Sequence, residues 1–381
     1  MIKTESIMEK VIKYRDYAIQ LRQHFHQYPE LGSKEFKTSQ KIREELDRFH
    51  IPYEIVGNTG IAAFIKGRNK GGTIAVRGDM DALPINEEND LSFKSVYKGI
   101  MHACGHDLHI SMVLTAARIL NEFKEELSGS IKLFFEEGEE IGIGARMIVD
   151  AGYLEDVDSV VALHACPEEY TGYFRLGYGE RTACSINSNI ELSDTESTVM
   201  AAAEIMDTIN AKLFENSDKL GIYTLVPTIC DCSEKTESAN SCARLFYNGR
   251  FLNNSTADRL EKIIAEASEA VAKLHGARAA VKTMVHKNSF VQNDKKCVDC
   301  AIEVIEGLYG KQAAKLSPPA MFSDTFAFLT GRVPGLYLLI GSSKEQLGSL
   351  HNEKVIFQNE TLQYGIGFLT VYLMKMLKEV G

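Results

Sequence analysis

The order of strand-like and helix-like segments is the feature that most constrains the fold of this chain. Short apolar runs alternate with helix-like stretches from about residue 53 to residue 163, and the same alternation returns after about residue 293. The runs at 131–135 and 159–163 are almost continuously apolar, which is typical of strands covered on both faces. This pattern predicts an α/β sheet flanked by helices.

Between these two stretches the pattern changes. An alternating run at 185–192 leads into an Ala- and Met-rich helix near 199–213, and further strand-like runs surround a second helix at 257–274. We therefore expect an α/β domain built from residues 1–180 and 292–381, interrupted by a smaller α+β domain of residues 181–291.

The composition of the chain argues against some classes of binding partner. The chain has 42 basic and 52 acidic residues and a net charge of −10, with no long basic run, which argues against a nucleic-acid or anionic-membrane partner. Its longest apolar stretch, at 365–374, is about half of the roughly 20 residues that a membrane helix needs. The N-terminal residues have no apolar signal segment, and the eight cysteines then indicate reduced thiols. We expect a cytoplasmic protein.

The densest cluster of reactive side chains lies at 102–109. It contains three of the ten histidines of the chain, together with Cys104 and Asp107. Cys104 and His106 are separated by a glycine, which allows a loop to direct both side chains to one point. Thiolate and imidazole are common ligands of borderline-soft metal ions. Taken alone, the cluster fits a metal site and a set of hydrogen-bonded histidines at a helix start equally well.

Other polar side chains follow predicted strands. They are Asp81 after the run at 73–76, Glu136 and Glu137 after 131–135, His164 after 159–163, and His351 in a loop after 335–340. Each alone is more typical of a solvated loop or a core histidine. Together they predict a shared site, because parallel sheets place ligands at the carboxyl ends of their strands. Of two adjacent carboxylates, one can bind a metal while the other transfers a proton.

Several segments resemble one enzyme family. They are LRQHFHQYPELG at 21–32, GDMDALP at 78–84, GIMHACGHDLH at 99–109, EEGEEIGIGARMIVDAG at 136–152, ALHACPEEYTG at 162–172 and LHNEKVIF at 350–357. They resemble the amidohydrolase branch of the aminoacylase/carboxypeptidase-G metallopeptidases, which includes hippurate hydrolase, auxin-conjugate hydrolases and N-acetyldiaminopimelate deacetylase. The resemblance covers nearly all of residues 14–180 and, more weakly, 290–381.

The resemblance implies a two-metal hydrolase of N-acyl amino acids or dipeptides, in which a metal-binding α/β domain is interrupted by a smaller α+β lid that commonly dimerises. Asp81 matches an acidic residue behind the metals. Zinc or manganese are the first expectations for the two divalent ions, and cobalt or nickel also suit a thiolate ligand. The positions that resemble the family's metal ligands are Cys104, His106, Glu137, His164 and His351, and Glu136 resembles the general base.

The lid departs from the family pattern. The family's glycine- and histidine-rich loop has no counterpart at 190–197, and no histidine occurs between His164 and His275. Asn240 and Arg250 are the remaining lid candidates for stabilising an oxyanion. Near the C-terminus, Thr325 occupies a position where the family pattern has a carboxylate.

Two alternatives remain open at this stage. A metal-free hydrolase would use Cys104 as nucleophile and His106 or His164 as base, but it would leave the acidic residues after the strand at 131–135 without a role. A non-catalytic descendant would keep the metal site and lack turnover. Because every metal-ligand position is present, we expect retained hydrolysis with a narrow range of substrates.

Overall fold

The computed structural model describes residues 2–193, 198–233, 242–287, 289–345 and 348–380. The described helices are α1 (Thr4–Lys13), α2 (Arg15–Gln27), α3 (Phe36–Arg48), α4 (His106–Glu122), α5 (Gly144–Asp150), α6 (Thr198–Glu215), α7 (Ser217–Leu220), α8 (Asn254–Leu274), α9 (Lys295–Tyr309), α10 (Phe326–Thr330) and α11 (Thr361–Val380). The described strands are β1 (Tyr53–Val56), β2 (Gly60–Lys66), β3 (Asn69–Asp79), β4 (Ser128–Glu136), β5 (Ser159–Tyr170), β6 (Phe174–Leu176), β7 (Gly179–Glu180), β8 (Cys184–Ser193), β9 (Tyr223–Ser233), β10 (Cys242–Phe251), β11 (Arg278–Val285), β12 (Gln292–Asn293), β13 (Ala314–Leu316) and β14 (Gly335–Ser343).

The chain forms two compact units. The first comprises Met1–Arg181, Val291–Pro318 and Asp324–Gly381, and the second comprises Thr182–Phe290 and Pro319–Ser323. The sequence did not indicate that 319–323 joins the second unit. The domain boundaries expected from the sequence, at 180/181 and 291/292, remain a prediction.

An eight-stranded mixed sheet forms the centre of the first unit, in the order β1-β2-β4-β3-β5-β14-β6-β13. Strands β4, β3, β5 and β14 are parallel neighbours, and the flanking β2 and β6 run antiparallel to them. Helix α4 packs against α2 and α11, and nearly all of its residues are buried. The mixed α/β architecture is the one expected from the alternation of segments.

The parallel register brings polar side chains to one edge of this sheet. Asp79 at the end of β3 pairs with Glu136 at the end of β4. On the other side of β3, Arg77 pairs with Ala162 of β5, and that strand continues through His164. Asp79 and Glu136 therefore lie at the carboxyl ends of adjacent strands, where open α/β sheets bind ligands, and His164 lies within the neighbouring β5.

The second unit has an antiparallel four-stranded sheet in the order β11-β8-β10-β9, with its own buried apolar core. The alternating burial of β8 and β10 shows that one sheet face packs on a core that includes residues of α6 and α8. Within the described ranges, no helix of either unit has the length and apolar character needed to cross a membrane.

Candidate metal centre

Five metal-ligand side chains of the first unit converge on one small region. Cys104, His106 and His164 form one group, and Cys104, Glu140 and His351 form a second. Within each group the ligand atoms lie within 4.8 Å of one another. Cys104 belongs to both groups and is therefore a candidate ligand in each.

The loop before α4 positions the first group. Gly105 has a φ of +89°, a left-handed conformation that glycine adopts without strain, and a Cβ there would lie 2.8 Å from the Cβ of Ala165. This glycine allows Cys104 to end the loop and His106 to begin the helix. The Cys104 sulfur then lies 3.4 Å from Nε2 of His164.

His106 has a defined orientation. Its Nδ1 lies 2.8 Å from the backbone carbonyl oxygen of Asp81 and 3.3 Å from the Asp81 carboxylate, so this nitrogen carries the proton and donates it. The opposite nitrogen, Nε2, is buried and has no hydrogen-bond partner among the described residues. A histidine held in this way presents the Nε2 lone pair to a metal ion.

His351 reaches the centre from a loop with unusual backbone geometry. It is one of three non-glycine residues with positive φ in the described chain, at +60°. Its amide donates to the carbonyl of Ala103 at 3.0 Å, and its Nε2 lies 3.3 Å from Oε1 of Glu140. Left-handed backbone at a non-glycine residue persists only where its surroundings enforce it, and such residues cluster at functional sites.

His109 lies beside the centre with both ring nitrogens engaged. Its Nδ1 contacts Oδ1 of Asp79 at 2.6 Å, and its Nε2 accepts from the amide of Ala165 at 2.8 Å. Burial alone would raise the pKa of Asp79, but Arg77, His106 and His109 hold it well below its usual range. This arrangement anchors β5 at Ala165 and leaves both ring nitrogens of His109 engaged.

The protonation of the ligand groups depends on their burial. Burial raises the pKa of the Cys104 thiol well above its usual value and lowers the pKa of His164 to about 4. Burial would also lower the pKa of His106, but Asp79 and Cys104 raise it well above its usual value. A neutral Cys104 is a poor nucleophile on its own, whereas a bound cation displaces the thiol proton.

The structure does not bring Glu137, which the sequence predicted as a ligand, to this cluster. Its Oε2 accepts from the amides of Asn58 and Gly60, both at 2.9 Å, from the amide of Thr59 and from the Thr59 hydroxyl. The side chain is therefore anchored to the turn between β1 and β2. Glu137 belongs to none of the candidate ligand groups among the described residues, so the ligand set proposed below does not include it.

Glu136, predicted as the general base, is also engaged elsewhere. Its Oε2 lies 2.6 Å from Nε of Arg77, and its Oε1 accepts from the Thr325 hydroxyl at 2.7 Å and from the Ala145 amide at 2.6 Å. Both oxygens are occupied by donors, and Glu136 belongs to none of the metal-ligand groups. A carboxylate held in this way has no oxygen available for substrate.

The second acidic pair of the EEGEE segment takes these positions instead. Glu139 and Glu140 form a ligand group with His106, and Glu140 also groups with Cys104 and His351. Burial and the nearby Asp324 raise the pKa of Glu139 well above its usual value. The sequence analysis expected the base and the ligand at the first pair, Glu136 and Glu137. The intervening Gly138, with a φ of +57°, was the available signal that the chain turns between the pairs.

The lid candidates lie in the second unit or outside the described residues. Asn240 and residues 194–197 of the altered loop are outside the described ranges. Arg250 lies in β10, where its Nη1 donates to the carbonyl of Gly249 at 3.0 Å and contacts Oδ1 of Asn248 at 3.4 Å. Its role in oxyanion stabilisation stays a prediction.

The donor set fits transition-metal ions. Nε2 of His106 is buried and has no hydrogen-bond partner among the described residues. Leaving such atoms unpaired is costly unless another group binds them. Thiolate, imidazole and carboxylate together suit zinc and its neighbours in the first transition row better than calcium or magnesium.

Comparison with known proteins agrees with this chemistry. The model of peptidase family M20/M25/M40 matches residues 75–375. The chain belongs to this family. The family resemblance inferred from the motifs is thereby confirmed, and the metal-free cysteine hydrolase has no support from these relatives.

Individual relatives are similar over most of their length. The chain is 32% identical to IAA-amino acid hydrolase ILR1-like 6 of Arabidopsis thaliana, covering 87% of this chain and 73% of that protein. It is 29% identical to N-acetylcysteine deacetylase of Bacillus subtilis, covering 85% and 88% of the two chains. A crystal structure of a Bacillus subtilis dinuclear metal-binding M20 peptidase matches with a TM-score of 0.85 and 26% identity, covering 96% of this chain and 99% of that one.

Proposed function

We propose that this protein is a dinuclear metal-dependent amidohydrolase that cleaves the amide bond of N-acyl amino acids or small peptide-like conjugates. The observation that carries the proposal is the convergence of ligand atoms from Cys104, His106, Glu140, His164 and His351, with the buried Nε2 of His106 unpartnered among the described residues. The names of the relatives, a hydrolase of amino-acid conjugates and a deacetylase, support the same class of substrate.

The ligand assignment follows the two groups. His106 and His164 would hold one ion, Glu140 and His351 would hold the other, and Cys104 would contact both. Two bound cations of this kind lower the pKa of water and polarise the scissile carbonyl. Zinc or manganese is our first expectation for both positions, with cobalt or nickel as further candidates.

Glu139 is our candidate for the general base. It lies next to the ligand Glu140, and its Oε1 accepts from the Thr325 amide at 3.1 Å, which orients the carboxylate. A base at this position takes a proton from the attacking water and delivers it to the leaving nitrogen, because an amine leaves readily only when protonated. Glu139 thereby takes the role that the sequence analysis predicted for Glu136.

We also propose a cytoplasmic location and a homodimer formed through the second unit. The eight free cysteines support a reducing compartment. The exposed apolar side chains of Phe214, Val226 and Ile229 in the second unit support a contact with another copy. Sedimentation of the purified protein tests the dimer.

The test of the function combines metal analysis with a substrate panel. The purified protein should contain about two transition-metal ions per chain and should hydrolyse at least one member of a panel of N-acetyl, N-benzoyl and N-succinyl amino acids and dipeptides. A chain with full metal content and no hydrolysis of any substrate would favour the non-catalytic descendant.

A further inference from the structure

A buried arginine lies beside the candidate metal centre without a place in the proposed reaction. Arg77 of β3 is only 1% exposed. Its Nε lies 2.6 Å from Oε2 of Glu136, its Nη1 lies 2.7 Å from Oδ2 of Asp79, and its Nη2 lies 3.2 Å from Oδ1 of Asp324. A guanidinium does not deprotonate in proteins, so its buried charge depends on these carboxylates.

Of the described carboxylates within 4.0 Å of the Arg77 guanidinium, Glu139 is the most distant. The distance from Nη2 to Oε1 of Glu139 is 3.9 Å, longer than the roughly 2.7–2.9 Å of a direct charged hydrogen bond. The Thr325 hydroxyl stands near both groups, 3.0 Å from Nη2 and 3.4 Å from Oε1 of Glu139. The guanidinium and the candidate base are thus neighbours without being a pair.

Glu136 fixes this arrangement from two sides. Its Oε2 holds the Nε edge of Arg77, and its Oε1 accepts the hydroxyl proton of Thr325 at 2.7 Å. The Thr325 oxygen is thereby turned to accept from Nη2. Without the charge of Glu136, Nη2 can close on Oε1 of Glu139, and a direct ion pair there would make the candidate base a weaker proton acceptor.

We propose that Glu136 is a positioning residue that, together with the Thr325 hydroxyl, keeps the Arg77 guanidinium away from Glu139 and leaves the Glu139 carboxylate free to act. The proposal rests on the proposed function for the role of Glu139. In this proposal Glu136 affects catalysis by holding Arg77 in place and does not itself contact substrate.

The first test is structural and does not depend on turnover. Crystal structures of the metal-loaded native protein and of Glu136→Gln are compared, since glutamine keeps the shape of glutamate but cannot balance the Arg77 charge. The Nη2–Glu139 Oε1 distance should shorten from 3.9 Å to about 2.9 Å in the variant. Glu137→Gln makes the same charge change away from Arg77, and in it the distance should persist. An unchanged or longer distance in Glu136→Gln would overturn the proposal.

The second test uses rescue. Glu136→Gln should lower kcat by about 10- to 100-fold with KM and metal content nearly unchanged, because a small displacement of a catalytic group has effects of this size. Adding Thr325→Asp returns an anion to the position 3.0 Å from Nη2 and should restore most of the lost kcat. A folded, metal-loaded double variant no faster than Glu136→Gln contradicts positioning. If the native protein hydrolyses nothing, the proposed function fails, while the crystallographic distance still decides the arrangement of Arg77.

Discussion

Replacing Glu137 by alanine should weaken the fold and leave the metal centre filled. The Oε2 atom of Glu137 accepts from the amides of Asn58, Thr59 and Gly60 and from the Thr59 hydroxyl. Thr59 and Gly60 are buried, so the substitution leaves at least two amides without a partner. Each such amide costs about 1–3 kcal/mol, so we expect the free energy of unfolding to fall by about 4 kcal/mol.

Urea unfolding followed by circular dichroism measures this loss. The titration is run with a chelator, because bound metal would add its own stabilisation. Glu140→Ala is the matched control. It removes the same type of side chain three residues further along the chain, where the carboxylate lies among other acidic groups. We expect it to leave the unfolding free energy within about 1 kcal/mol of native and to abolish normal metal content. Native stability in Glu137→Ala, or metal loss there with retention in Glu140→Ala, would refute the assignment.

Four other substitutions test the proposed roles of the candidate base, one metal ligand, the lid arginine and a buried histidine. Glu139→Gln should lower kcat by about 100-fold or more at unchanged metal content, and a fast variant would mean that another group is the base. Cys104→Ala should reduce the metal content from about two ions per chain toward zero, because this sulfur belongs to both ligand groups; full occupancy would remove the basis for the site. Arg250→Ala should lower turnover by about 100-fold with little effect on metal affinity, and an equal kcat would exclude Arg250 as the oxyanion donor. Burial would lower the pKa of His26, but Asp107 and Glu87 raise it to about 9. The charged His26 therefore stabilises the fold fully below its unfolded pKa of about 6.5, and this contribution to the unfolding free energy is lost as pH rises through 9. The cost of His26→Ala in urea unfolding should therefore be about 3 kcal/mol larger at pH 6 than at pH 10, and a cost independent of pH would contradict it.

The end of β4 could be located from sequence because its signal is local. The apolar run at 131–135 is followed by acidic residues, and β4 ends at Glu136. The same reasoning ended the next strand at residue 163, whereas β5 continues past His164 to Tyr170. Cys104 and His106 were recognisable for the same reason, since the glycine between them has a direct conformational consequence.

The choice between the two acidic pairs could not be made in this way. Strand β4 continues to Glu136, and Glu137 then turns to the amides of residues 58–60, which are remote in sequence. Only that long-range contact distinguishes Glu137 from Glu140, which groups with Cys104 and His351 beyond the turn at Gly138. The local pattern of four glutamates does not show which of them will contact a segment as remote in sequence as residues 58–60.

The surroundings of Arg77 were beyond sequence reasoning for a related reason. Arg77 and Thr325 are 248 positions apart, and their contact depends on how α10 follows the sheet. The replacement of a family carboxylate at Thr325 was visible, but its consequence for Glu136 became clear only from the three-dimensional arrangement.

Anomalous diffraction from crystals of the metal-loaded protein tests the central claim most directly. We predict two metal peaks per chain, both within bonding distance of the Cys104 sulfur, at about 2.3 Å for a thiolate ligand such as those of zinc. One peak should be bound by His106 and His164 and the other by Glu140 and His351. A peak bound by Glu137, or one whose ligands exclude Cys104, would contradict the account.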